Sequence, residues 1–207
     1  MSSKLSARLS QAKQSDAPAR PTTRRRSSAS DLALVAVFAG LIAALGAAPP
    51  IYAFGLAVPI TLQTMGVMLS GSILGSRRGA LAVLLFLALV ALGLPLLSGG
   101  RGGLGVFAGP SAGYLVGFPL GAWVIGRLHE LLGERYSVVG GVVANVVGGI
   151  VVVYLVGIPV QAWRLSTSTL VSVFLASVVF LPGDLAKAVV SAVVTRGVRR
   201  AYPDLLR

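Results

Sequence analysis

From about residue 31 to residue 195 the chain is a succession of long apolar runs broken by short segments rich in Gly, Pro and Arg, with very little charge inside the runs. A bilayer core about 30 Å thick is crossed by roughly 20 apolar residues in a helix, and every backbone polar group at that depth must be paired within the segment. The composition agrees with a membrane location: 55% of the 207 residues are apolar and 12% are charged, about half the charged share of soluble domains. The runs predict helices over residues 32–48, 61–76, 79–97, 109–132, 137–157 and 182–197, an all-α integral membrane protein with six crossings. Residues 1–30 then form a disordered basic cytoplasmic tail, 31–200 one six-helix membrane domain, and 201–207 a cytoplasmic C-terminal tail.

One stretch admits two readings. The apolar run from Thr169 to Val194 exceeds one crossing and is interrupted by Pro182-Gly183. Proline removes a helical hydrogen bond in mid-helix yet is favoured in a first turn. We start the sixth helix at Pro182 and treat 166–180 as a membrane-embedded connection; the other reading is a single kinked helix.

The net charge of +12 raises the question of nucleic acid, and the positions of the charges answer it. Lys4, Arg8, Lys13, Arg20, Arg24, Arg25 and Arg26 lie in the N-terminal arm, Arg77 and Arg78 between helices 2 and 3, Arg127 and Arg135 around the 4–5 turn, and Arg196, Arg199, Arg200 and Arg207 at the end. These fifteen of eighteen cations fall on one side, which the positive-inside rule makes cytoplasmic, together with both termini. The charge orients the bundle and requires no nucleic-acid partner. The Ser- and Arg-rich arm has the composition of a targeting segment, but its triple Arg directly precedes an apolar span and no cleavage site leads into a soluble domain, so it reads as a tail.

With no Cys and one His, disulfides, thiolate metal sites and multi-histidine metal sites are excluded. No Walker A sequence, His-based dyad or membrane-depth carboxylate pair is present, so neither ATP hydrolysis by this chain nor a cofactor is expected.

The outer side retains Arg101, Arg164 and Lys187, with Asp184 as its acid. An ionisable group at membrane depth costs several kcal/mol unless paired or hydrated, which makes it a functional candidate. Asp184 and Lys187 stand at i and i+3 in Pro182-Gly183-Asp184-Leu185-Ala186-Lys187, on one helical face. The bland alternative is an acid favoured by the helix dipole beside a snorkelling Lys. The glycine-rich stretch Gly93 to Gly105 suits a tight loop and carries Arg101, a natural partner for a carboxylate. Its formal G-x-G-x-x-G match lacks any βαβ context and is rejected. Residues 49–60 read either as an apolar lid or as an interfacial loop, and Tyr154 and Trp163 either line a ligand or belong to an aromatic belt. Gln63 and Asn145 should face the bundle, Asn145 as packing glue. His129 reads as a solvated interfacial residue, and the small residues of Ala39-xxx-Ala43, Gly71-xxx-Gly75 and Gly113-xxx-Gly117-xxx-Gly121 as close helix contacts.

From about Ala33 to Val194 the chain resembles the BioY family, the biotin-specific S components of energy-coupling factor (ECF) transporters. The resemblance rests on Val58-Pro59-Ile60-Thr61-Leu62-Gln63, Gly93-Leu94-Pro95, Ser98-Gly99-Gly100, Gly109-Pro110-Ser111-Ala112-Gly113-Tyr114-Leu115-Val116-Gly117-Phe118 and Leu181-Pro182-Gly183-Asp184-Leu185-Ala186-Lys187. Ser111 departs from the expected Thr but keeps the hydroxyl.

The resemblance implies a subunit of the bacterial plasma (inner) membrane that captures biotin from outside. Its implied partners are a transmembrane T component, two ATP-binding-cassette ATPases, the lipid bilayer and, optionally, a second copy of itself. The resemblance carries a substrate-binding role over onto Asp184 and Lys187; Arg101, Ser98, Gln63, Tyr114 and Tyr154 complete the expected substrate-binding set. Either Arg101 or Lys187 would meet the biotin carboxylate, with Arg101 favoured. Ala39 and Ala43 would form the docking face for the T component, with Ala36, Gly40 and Ala44 as a second register.

Overall fold

The computed structural model describes residues 28–51, 58–133, 136–166 and 169–202. The N-terminal arm, residues 52–57 of the expected lid and the C-terminal tail from 203 lie outside the described residues. Among the described residues the backbone is helical with no strand, apart from isolated antiparallel bridges at Ile51–Ile60 and Leu97–Arg101. In chain order the helices are α1 (Ser28–Gly46), α2 (Gln63–Leu74), α3 (Ser76–Ala91), α4 (Ala112–Leu132), α5 (Val138–Arg164) and α6 (Leu170–Ala201), with a 3₁₀ turn at Leu104–Ala108. Ser28 opens α1 three residues ahead of the domain boundary expected at 31.

Four of these, α1, α4, α5 and α6, are long and apolar enough to cross a membrane. The expected spans 61–76 and 79–97 need correction. They are helices of 12 and 16 residues, about 18 and 24 Å long at 1.5 Å per residue and shorter than the hydrocarbon core. Gly75 separates them without a loop, at φ 81° and ψ −177°, a backbone state essentially restricted to glycine. Helix α3 stops at Ala91 because Gly93 turns left-handed at φ 103° and Leu94 precedes a proline, where helical backbone is disfavoured.

Helix α5 runs past the expected end at 157, through Pro159 to Arg164. Its residues Val147–Val152 form a π turn that places Gly148 and Gly149 against Ile125 and Met68. The extra residue rotates the following turn and brings Tyr154 to the bundle interior. In α6 the expected separation at Pro182 gives way to continuous helical backbone from Leu170. Pro182 lacks the N–H that the Val178 carbonyl would need, and the chain tightens to a 3₁₀ turn over Val178–Phe180. At its start the Thr169 hydroxyl accepts from the Ser172 N–H at 3.2 Å, a side-chain N-cap.

Helix α4 lies at the centre, packed on α2, α3 and α5, while α6 packs on α2 and the first part of α5, and α1 covers α2 and α3. The glycine series of α4 is the contact with α5, since a Cβ on Gly113 would come 2.5 Å from that of Val160. Phe86, Val90, Phe118 and Val153 fill the core, whereas Leu81, Leu155, Val171, Phe174 and Val193 point outward, as lipid surroundings permit.

The α2–α3 junction is fixed by α4. Gly126 lies so close to the Gly75–Ser76 backbone that a Cβ there would overlap the Ser76 nitrogen. One turn on, the Glu130 carboxylate accepts from the Ser76 N–H at 2.7 Å and from its hydroxyl at 2.8 Å. His129 corrects the solvated reading: it is fully buried, its Nδ1 donates to the Ile125 carbonyl at 3.0 Å, and its ring stacks on Tyr136 with centroids 5.6 Å apart. It faces inward because α4 buries this flank against Tyr136 and the end of α6, where Arg199 lies 4.4 Å over the Tyr136 ring and donates to the His129 carbonyl.

Candidate functional site

The N-terminal turns of α2 and α4, the middle of α5, the middle of α6 and the turn carrying Arg101 converge on one pocket. Leu97, Leu115, Phe118, Val153 and Phe180 make its apolar walls, and its polar groups are Thr61, Gln63, Thr64, Arg101, Ser111, Tyr114, Tyr154, Asp184 and Lys187. Val58, Pro59 and Ile60 close one side, held at the base by reciprocal backbone hydrogen bonds between Ile51 and Ile60 at 3.1 and 3.0 Å.

Asp184 and Lys187 do pair, at 2.9 Å, on one face of α6 with both side chains buried. A buried pair survives only when its remaining hydrogen-bonding capacity is met. Here the Lys187 Nζ also donates to the Thr64 hydroxyl at 3.0 Å, Thr64 donates to Asp184 Oδ1 at 3.4 Å, and the Tyr154 hydroxyl donates to Asp184 Oδ2 at 2.8 Å. Tyr114 stands edge-on to Tyr154, ring centroids 6.1 Å apart, and its hydroxyl donates to Gln161 at 2.8 Å. Arg101 differs: Nε donates to the Ser98 carbonyl at 3.2 Å, and among the described residues no carboxylate pairs with it. A Tyr154→Phe protein should bind ligand more weakly by about 10-fold, since a hydrogen bond to a charged group contributes about 1.5–3 kcal/mol; titration calorimetry of the purified protein measures it.

Asp184, Lys187, Arg101, Gln63, Tyr114 and Tyr154 therefore meet at one pocket. Ser98 does not line it: the residue is fully buried beneath the turn, where its N–H donates to Gln63 Oε1 at 3.1 Å and its hydroxyl lies 3.4 Å from the Ala48 carbonyl. Trp163 is 73% exposed, outside the pocket, with the Arg164 guanidinium 4.7 Å from its ring. Asn145 is packing glue, accepting from Ser72 at 2.8 Å and donating to the Ala188 carbonyl at 3.1 Å.

Ala39 is buried in the core and Ala43 packs against it, so neither stands on the exposed face of α1. Ala36, Gly40 and Ala44 are among the small residues that α1 presents outward. Thr64 lies outside the set expected from the sequence, where its position next to Gln63 in the first turn of α2 is its one signal. Phe180 was hidden in a stretch read as a connection.

A helical bundle with four helices long and apolar enough to cross a membrane, and with a small pocket holding a buried ion pair and a guanidinium that has no carboxylate partner among the described residues, has the character of a membrane protein with a polar ligand site. Residues 17–204 match the BioY family, and the chain belongs to that family. It is 49% identical over 180 residues to the biotin transporter BioY of Rhizobium etli, covering 84% of this chain and 96% of that one. It is 44% identical over 185 residues to the biotin transporter BioY of Rhodobacter capsulatus, covering 85% and 96%. Its fold matches the crystal structure of the S-component for biotin from an ECF-type ABC transporter with TM-score 0.78 and 31% identity, over 85% of this chain and 95% of that one. The chain is accordingly a multi-pass membrane protein with the S-component fold.

Proposed function

We propose that this chain is the biotin-capturing subunit of an ECF-type uptake transporter. The observation that carries this reading is the buried Asp184–Lys187–Thr64–Tyr154 network facing a pocket that also holds Arg101. The biotin ureido ring has two N–H donors and one carbonyl acceptor, which suit Asp184 as acceptor and Lys187 as donor. The thioether ring and aliphatic chain fit the Leu115, Phe118 and Val153 walls. Among the described lining residues the charges are +1 from Arg101, +1 from Lys187 and −1 from Asp184, a sum of +1 that one carboxylate neutralises. Lys187 already has its carboxylate, so the ligand's carboxylate goes to Arg101, which is also suited to bidentate binding. Calorimetry with biotin tests this: saturable binding is expected, and none would end the assignment.

In this reading the chain performs no chemistry; a T component and two ATPases supply the energy in the bacterial inner membrane. Counting the short α2 and α3 as crossings gives six and puts both termini on one side, which the charge distribution makes cytoplasmic. Ala36, Gly40 and Ala44 supply the surface for the T component. No atom lies within 4 Å of a Cβ placed on Gly40, so Gly40→Leu should fold and bind biotin normally while losing co-purification with the T component. Unimpaired co-purification would move the docking face elsewhere.

A further inference from the structure

We propose that Gln63 is a positioning residue that acts on the ligand through Arg101 and makes no ligand contact of its own; this rests on the reading that Arg101 meets the ligand's carboxylate. Gln63 is 3% exposed, and its amide is already engaged by backbone. Oε1 accepts from the Ser98 N–H and Nε2 donates to the Leu96 carbonyl, both at 3.1 Å. These two groups flank Leu97 and lie along one edge of its extended backbone. The opposite edge of Leu97 is bridged to Arg101: the Leu97 N–H donates to the Arg101 carbonyl at 3.0 Å and the Arg101 N–H to the Leu97 carbonyl at 3.2 Å.

The Gln63 carboxamide thus takes the place of a third strand beside a two-residue ladder, and the ladder's far member is Arg101. A second link runs through Ser98, whose N–H is held by Gln63 and whose carbonyl accepts from Arg101 Nε at 3.2 Å. Gly99 and Gly100, at φ 79° and 71°, make the tight return between the two members. Behind the amide, a Cβ on Gly46 would lie 2.5 Å from both Gln63 Nε2 and the Leu96 carbonyl. The end of α1 therefore packs directly against this contact, although Gly46 does not line the pocket.

A residue acting only through Arg101 should affect the charged end of the ligand and leave the rest alone. Binding of biotin and of biotin amide, which has a neutral carboxamide in place of the carboxylate, is measured by calorimetry for wild type, Gln63→Leu, Gly46→Ala and Arg101→Gln. Gln63→Leu and Gly46→Ala are expected to weaken biotin by about tenfold or more while leaving biotin amide within about twofold, as loss of an aligned charge-assisted contact predicts. Arg101→Gln should show the same selectivity more strongly. If it weakens both ligands equally, the carboxylate reading itself is wrong. If it is selective but Gln63→Leu weakens both ligands equally or neither, the positioning role is overturned. Gln63→Met stands in if Gln63→Leu does not yield monodisperse protein, and failure of both to fold also overturns the proposal, because a residue that positions one turn leaves the bundle standing.

Discussion

Asp184→Ala should abolish measurable biotin binding and at the same time lower the thermal stability of the purified protein. The carboxylate accepts from Lys187, Thr64 and Tyr154, and its removal strands an ammonium that is 8% exposed. Breaking one side of a buried pair destabilises by about 3–5 kcal/mol, so a loss of affinity beyond 100-fold is expected together with the drop in melting temperature. The two effects separate in the double variant Asp184→Leu, Lys187→Met, which removes both charges. Replacing a whole buried pair with apolar residues is often neutral or stabilising, so its melting temperature should recover while calorimetry still detects no biotin binding. Recovery of binding in the double variant would show that the pair serves packing alone.

The second large effect is expected far from the pocket. Gly126→Ala inserts a methyl group where α4 meets the Gly75–Ser76 backbone. A side chain in the way can rotate, whereas this obstacle is main chain. Overpacking of a tight site costs about 1–3 kcal/mol and occasionally more, and we expect the upper end, a fall of roughly 6–12 °C in melting temperature for a protein of this size. Glu130→Gln, which keeps an acceptor for the Ser76 N–H, should lose less. A Gly126→Ala protein as stable as wild type would mean that the α2–α3 junction yields readily to pressure from α4.

The candidate site residues are more legible in the sequence than the helices that carry them. Asp184 and Lys187 stood out because charge at membrane depth is costly and their spacing puts them on one face. Arg101 stood out because few cations remain outside once the cytoplasmic ones are assigned. Apolar run length misjudged α2, α3 and α5, because a run does not register Gly75 and Gly93 as breaks or Pro159 as a proline that the helix tolerates. Ser98 and Gln63 look alike in the sequence as polar residues near the pocket, and only three-dimensional packing shows that Ser98 lies beneath the turn while Gln63 borders the cavity with its amide engaged by backbone. Ala39 and Ala43 turn inward for a related reason: on a helix with small residues on several faces, spacing gives the period but not the phase. His129 looked solvated because its neighbour is charged, but the two side chains diverge, Glu130 toward Ser76 and His129 toward Tyr136.

The direct junction at Gly75 has a mechanical consequence. Helices α2 and α3 form a V whose apex is clasped by Gly126 and Glu130, and both arms end at the pocket: one begins with Gln63 and Thr64, the other leads into the turn that bears Arg101. Because the two arms share this one junction, the first turn of α2 and the turn that follows α3 are tied to α4 through the same few contacts.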